Sequence, residues 1–197
     1  MSNDSTVAGF ITPETTPVYD DALDDIFQAA TAGILGLDGS LVRPRLQREP
    51  LPEPAASDDW VAVGVTSIDD DWLTYEDHQP AGDGGLGTDR MQSDEMIEVT
   101  FSIYGPNARL NSKVLRAGLQ LGQNRESLTA QGIEFHEMAK PVVVPALIKN
   151  AYVPRIDTRV TFRRRAEFVY AIRNVLSASF EVVTDVGITP STTQASN

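Results

Sequence analysis

Glu95-Met-Ile-Glu-Val-Thr-Phe-Ser-Ile-Tyr104, followed by Gly105-Pro106-Asn107 and then Ala108-Arg-Leu-Asn-Ser-Lys-Val-Leu-Arg-Ala-Gly-Leu-Gln-Leu-Gly-Gln123, is the stretch that decides the fold. Its first half alternates. Ile97, Val99, Phe101 and Ile103 fall on one side; Glu98, Thr100, Ser102 and Tyr104 fall on the other. That period is a strand with one buried face. Gly-Pro-Asn stops the strand and opens a helix, proline being tolerated where no helical N–H is required. Leu110, Val114, Leu115, Leu119 and Leu121 predict one broad apolar stripe on that helix. A strand therefore hands over directly to a helix able to cover its sheet. No catalytic residue type stands out at the junction.

Outward from this core, the C-terminal side holds the most regular alternation. Ile156, Val160, Phe162, Ala166, Phe168 and Tyr170 share a face with Thr158 and Arg164. Arg155, Asp157, Arg159, Thr161, Arg163, Arg165 and Glu167 share the other with Val169. One long strand with a charged outer face is expected. Leu176, Ala178, Phe180 and Val182 predict a last strand, joined to it by a turn at Arg173-Asn174. Between the two regions, 124–131 reads as a short helix stopped by Gly132, and 133–138 as a short strand. Pro141, Pro145 and Pro154 suggest an irregular segment around Val142-Val143-Val144.

On the N-terminal side, residues 1–17 read as a flexible arm. Pro17 and Asp20-Asp21 open a helix, carboxylates being favoured at the positive end of its dipole. Ala22, Leu23, Ile26, Phe27, Ala30 and Ile34 form its apolar stripe, and Gly36 or Gly39 ends it. Residues 41–49, interrupted by Pro44, are at best an edge strand. Trp60 to Thr66 alternates, with Val61, Val63 and Val65 together. Ile68 to Ser93 is acidic and glycine-rich, and reads as a long loop or an extended hairpin.

The sum is about six strands and three helices without repeated βαβ spacing. It predicts an α+β fold: a mostly antiparallel mixed sheet with helices on one face. The expected division is an arm (1–17), one domain (18–185) and a loose tail (186–197).

Composition narrows the function. With 197 residues and 41% apolar side chains, the chain can bury an ordinary core. No apolar run approaches a membrane span and no leader pattern is present, so a non-membrane protein is expected. The absence of cysteine excludes disulfides and thiolate metal sites. The net charge of −12 is unevenly spread: residues 1–100 hold 21 Asp/Glu and 4 Lys/Arg, whereas residues 101–197 hold 7 and 12. An acidic half and a basic half suit folding against each other, or head-to-tail self-association. The overall sign disfavours phosphate readout.

Enzyme signatures are thin. Gly82-x-Gly84-x-x-Gly87 matches the dinucleotide fingerprint in letters, but lacks the preceding strand and following helix, and Asp83 and Asp89 would repel a pyrophosphate. His78 sits among Glu76, Asp77 and Asp83, an acidic site in outline, with spacing that matches no ligand pattern. His136 lies beside Glu134 and Glu137 without a nucleophile motif. No catalytic, cofactor-binding or metal-ligating residue is assigned.

Five segments, in order, carry a resemblance: Arg43-Pro-Arg-Leu-Gln-Arg-Glu-Pro50; Asp59-Trp-Val-Ala-Val-Gly-Val65; Phe101-Ser-Ile-Tyr-Gly-Pro-Asn-Ala108; Leu115-Arg-Ala-Gly-Leu-Gln-Leu-Gly-Gln-Asn-Arg-Glu-Ser-Leu128; and Arg163-Arg-Arg-Ala-Glu-Phe168. Over residues 18–185 the chain resembles the neck or tail terminator proteins of tailed bacteriophages. The resemblance implies a structural virion protein, with no enzymatic activity and no cofactor. It implies a homohexameric ring at the virion neck that ends the tail tube and joins it to the head connector or adaptor, with genomic DNA passing through the channel and assembly in the host cytoplasm. The alternative is a non-viral enzyme or binding module using Glu76, Asp77 and His78. Charge pattern adds two expectations. Arg155, Arg159, Arg163 and Arg165 are candidates to meet Asp20, Asp21, Asp24 and Asp25 across a subunit interface. Asp69, Asp70, Asp71, Glu76, Asp77, Asp83 and Asp89 are candidates to line a channel or contact a neighbour.

Overall fold

The computed structural model describes residues 5–6, 8–47, 51–52, 54–70, 75–79, 85–148 and 151–173. Three helices and seven strands occur among them: α1 (Asp20–Leu35), β1 (Val42–Pro44), β2 (Trp60–Asp70), β3 (Tyr75–Gln79), β4 (Leu86–Tyr104), α2 (Ala108–Gly118), α3 (Glu126–Thr129), β5 (Ile133–Met138), β6 (Val142–Ile148) and β7 (Ala151–Arg173). The α+β class and mostly antiparallel mixed sheet expected from the sequence are what the chain forms. Two compact units divide it: a larger one of Pro17–Leu73 and Ser93–Ala166, and a smaller one of Met1–Thr16, Thr74–Gln92 and Glu167–Asn197.

In the larger unit the strands run in the order β1-β2-β4-β7-β5, with β6 beside β7. β1 pairs with β2 in parallel, while β2 with β4, β5 with β7 and β6 with β7 are antiparallel. Register sets Val61 opposite Ile103, Val63 opposite Phe101 and Val65 opposite Val99. These residues join Leu23 and Phe27 of α1, Leu115 of α2, Leu128 of α3, and Ile156, Val160 and Phe162 of β7 in one core. Burying a large apolar side chain of this kind stabilises by about 1.5–3 kcal/mol, so this one layer of contacts carries the unit. On the sheet's other side Trp60 stacks on Tyr104, ring centroids 3.9 Å apart, above Ala62, Ile148 and Val153.

The β4–α2 junction rests on Gly105. Its φ is +107°, and a Cβ there would lie 2.4 Å from the Asp59 carboxylate and 2.5 Å from the Asp58 carbonyl oxygen. Asp59 fills that space: its carboxylate accepts from the Asn107 backbone N–H at 2.9 Å and from the Asn107 amide at 2.8 Å. α1 ends as expected at Gly36, in the left-handed region.

In the smaller unit β3 pairs with β4 from Tyr75 opposite Gln92 to Gln79 opposite Thr88. Within the acidic stretch 68–93, the described residues of 75–92 are thus an extended hairpin rather than a long loop. The N-terminal arm is tied at Glu14 and Thr15, both of which donate backbone N–H groups to the Val169 carbonyl, while the Val169 N–H returns to Thr15.

Three expectations are corrected. Val142-Val143-Val144 is not irregular: it lies in β6, paired residue for residue with β7 even where Pro145 faces Pro154. The prolines hid the strand, but an edge position tolerates a missing donor. The apolar stripe of α2 is split. Leu115 and Leu119 are buried, together with Ala108, Ser112 and Gly118, whereas Leu110, Val114 and Leu121 face solvent. In α1, Ala22 is exposed and Thr31 takes a core position, its hydroxyl donating to the Phe27 carbonyl at 2.6 Å. The expected last strand over Leu176–Val182 and its turn lie outside the described residues.

Candidate assembly surfaces

The long β7 builds the first surface. Its even-numbered side chains Ile156, Thr158, Val160, Phe162, Arg164 and Ala166 are all buried, so the odd-numbered set is left to the sheet's outer side. Of that set, Arg155 is partly engaged at home. It holds Asp157 in a two-pronged pair at 2.8 and 2.7 Å, reaches the Ser102 hydroxyl, and lies over the Tyr104 ring. The hydrogen bonds to Asp157 push its pKa up, outweighing partial burial. Arg165 pairs with Asp94 at 3.1 Å on an exposed surface. Arg159 and Arg163 are exposed, with no ion pair to either among the described residues.

The N-terminal turn of α1 builds the second. Asp20, Asp21 and Asp25 are exposed there. Asp24 turns inward instead: its carboxylate accepts the Val65 N–H at 2.8 Å and packs over Gly64, where a Cβ would come within 3.3 Å of it. Burial raises the Asp24 pKa, opposed by the Val65 bond and reinforced by Asp21 and Asp25. Asp21, Asp24, Asp25 and Gln28 form one wall of a groove whose other wall is Pro44, Leu46 and Leu51.

The third is the hairpin of β3 and β4 in the smaller unit, with Glu76 and Asp77 on β3 and Asp89 on β4; Asp69 and Asp70 end β2 in the larger unit, and Asp71 and Asp83 fall outside the described residues. Strand alternation sets Glu76 and His78 on one side of β3 and Asp77 on the other, so the three do not converge on one point. His78 Nδ1 instead lies 2.7 Å from the Asp89 carboxylate, its cross-strand neighbour. No group of three or more His, Asp or Glu side chains able to hold a metal occurs among the described residues. His136 is exposed on β5. Of the fingerprint glycines, Gly82 and Gly84 lie outside the described residues, while Gly87 lies in β4.

One arrangement was not anticipated. Arg164, on the buried face of β7, donates from Nε to Glu95 at 2.6 Å and from Nη1 to the Val18 carbonyl at 2.6 Å, and lies 4.4 Å from the Tyr19 ring. The Tyr19 hydroxyl donates to the same Glu95. Burial first, and that bond second, push the Tyr19 pKa up to about 12. The sequence signal was an arginine in the apolar phase of a strand; its partner was not readable.

Comparison with known families bears on the chain as a whole. The sequence model of the phage neck terminator protein family matches residues 21–187. The chain belongs to this family. It is therefore a structural protein of the bacteriophage neck, as its resemblance implied. A search of curated proteins found no match. The matched span takes in α1 apart from Asp20 and the seven strands found among the described residues.

Proposed function

We propose that this chain acts as a homohexameric ring that ends the tail tube and joins it to the head connector. The observation that carries this reading is the family match over residues 21–187. The division of charge supports it: acids collect at the start of α1 and on the β2–β4 hairpin, arginines on the outer side of β7. Two unlike, complementary surfaces on one chain make heterologous contacts, and these close into rings when the rotation permits. Arg159 and Arg163, with Arg155 and Arg165 at the margins, meet Asp20, Asp21 and Asp25 of the next copy; Asp24, held by Val65, sets the position of that helix start.

The acidic hairpin lines the channel or touches the adjoining ring. Asp69, Asp70, Glu76, Asp77 and Asp89 would present negative charge to DNA, so the genome slides through without sticking or being read. Tail tube and head connector proteins are the flanking partners, met in the host cytoplasm during assembly. Light scattering coupled to gel filtration, with electron microscopy of the protein alone and on tails, tests the reading. Six-fold rings are the expected result. A monomer at every concentration that also forms no ring on tails overturns it.

A further inference from the structure

On the side of the sheet away from the main core, two arginines from opposite flanks converge on one buried hydroxyl. Arg45 follows β1, and its backbone N–H donates to the Val63 carbonyl at 2.9 Å, which fixes where its side chain starts. Gly64 leaves room for that side chain to cross β2: a Cβ on Gly64 would lie 3.1 Å from the Arg45 Cβ. Arg155 reaches in from β7. Arg45 Nη1 and Arg155 Nη2 donate to the Ser102 hydroxyl at 2.5 and 3.4 Å, so the two nitrogens are no more than about 6 Å apart, close enough for like charges to repel. Ser102 is 1% exposed. A hydroxyl accepts two bonds and gives one. Here both acceptances are taken, and the Ser102 proton meets no acceptor among the described residues. Arg155 has a carboxylate of its own in Asp157. Arg45 is exposed and has no ion pair among the described residues, because nearby Asp24 turns to the Val65 N–H instead. A further guanidinium, that of Arg43, is fixed over the Trp60 ring by bonds to the Ser40 and Pro52 carbonyls.

We propose that Arg45, Arg155 and Ser102 form a carboxylate-binding site that takes an acidic side chain of a neighbouring protein in the assembled neck. The charge fits one carboxylate: Asp157 already balances Arg155, which leaves Arg45 to be balanced. A carboxylate can give one oxygen to each guanidinium, at the roughly 2.8 Å of charge-assisted bonds, and so turns a repulsion into a bridge. Arginine suits the task because its fork stays charged and holds two oxygens at once. Half-buried Arg155 and buried Ser102 form the fixed floor, and exposed Arg45 opens the site to solvent. A DNA backbone is the poorer occupant. Binding it means neutralising a run of phosphates, whereas this is one point on a chain of net charge −12. The Trp60 ring beside it is 9% exposed and closed to a stacked base. The site does not depend on the ring reading, and neither Arg45 nor Ser102 belongs to the contact proposed there.

The test uses full-length R45K, which keeps the charge and presents a primary amine. A water-soluble carbodiimide activates a carboxylate, the amine at position 45 attacks it, and an amide forms while the carbodiimide leaves as its urea. Necks assembled from isotope-labelled and unlabelled R45K are treated and the linked peptides read by mass spectrometry. Wild-type necks, whose lysines are Lys113, Lys140 and Lys149, set the background. Position 45 should be joined to an Asp or Glu of a different polypeptide, another copy or another neck protein, and S102A combined with R45K should lower the yield. R45E should reduce incorporation into necks at least about tenfold with an unchanged unfolding midpoint, and R45Q less. Folded R45K and R45Q that both fail to assemble would equally assign the guanidinium fork to the contact. Coupling only to carboxylates of the same copy, or none at all in assembled necks, overturns the site. So does R45E that assembles like wild type. Short duplex DNA that binds the wild-type protein and is released by R45E gives the site to phosphate and overturns the carboxylate assignment. Each of these outcomes leaves the ring reading to its own test.

Discussion

Arg164 and Glu95 are 5% and 3% exposed, and Arg164 Nη2 is buried with no hydrogen-bond partner among the described residues. Taking two charges out of water is costly, and their attraction offsets that cost only while both are present. Arg164→Ala strands a carboxylate in the core and should cost about 3–5 kcal/mol, read from urea unfolding. Arg164→Met combined with Glu95→Leu should recover most of that loss. Arg164→Lys keeps the charge but not the fork that reaches Glu95 and Val18 together, and should fall between. Asp24 gives the opposite sign. Its raised pKa means the folded state holds the proton more tightly than the unfolded chain. Its favourable contribution is therefore complete below the ordinary aspartate range and is lost as pH climbs through the raised value. Asp24→Asn keeps an acceptor for the Val65 N–H without the charge. It should stabilise by under ~1 kcal/mol at neutral pH, with the gain disappearing in acid. A thermal melt series against pH checks this, and a gain that grows in acid would refute the assignment. Both behaviours were beyond reach of the sequence. Alternation put Arg164 on the buried face, but Glu95 lies 69 residues away in the chain, and nothing one-dimensional pairs them.

At the scale of elements, what was legible was what period alone dictates. β4 and β7 keep strict alternation because one side meets the helices, and a slip of one residue would turn every core side chain outward. α1 announced itself through its acids and its terminal glycine. What was hidden depended on neighbours. Pro145 disqualified β6 only until β7 was there to pair with it. Leu110, Val114 and Leu121 look like core residues by chemistry, yet α2 buries smaller Ala108, Ser112 and Gly118, the last because Ile34 of α1 comes within 2.4 Å of where a Cβ would sit. The surfaces proposed for assembly were legible as charge, not as geometry. The β4–α2 junction offers a direct test. Gly105→Ala meets both a left-handed φ and backbone at Asp58 and Asp59, and should cost at least ~2 kcal/mol. Gly36→Ala has a left-handed φ but open space, and should cost about 1–2 kcal/mol. Equal losses for the two, measured by denaturant titration, would mean the packing at Asp59 contributes nothing.

For the whole molecule, the question is what a charged β7 side is for. Arg155 and Arg165 have carboxylates of their own subunit at Asp157 and Asp94, whereas Arg159 and Arg163 are exposed. A surface of this kind is satisfied by water or by carboxylates from elsewhere, and the first hundred residues carry 21 acids against 4 basic side chains. Individual exposed pairs are worth only about 0–1 kcal/mol, so no single pair could hold a ring. Repeated at each interface they would instead choose the partner surface and its register. The double reversal Arg159→Glu with Arg163→Glu should therefore weaken assembly while leaving the unfolding midpoint within about 0.5 kcal/mol of wild type, because surface changes away from packed features move stability little. Salt gives the second arm. At physiological ionic strength charges are screened over about 8 Å, and raising it should weaken wild-type assembly in part, with apolar contacts holding the remainder. In the reversed variant the residual assembly should respond to salt with the opposite sign, since screening now relieves repulsion from the acids at the start of α1. Normal rings with an unchanged salt response would show that this side of β7 is a solvated surface and that the charged contact lies elsewhere.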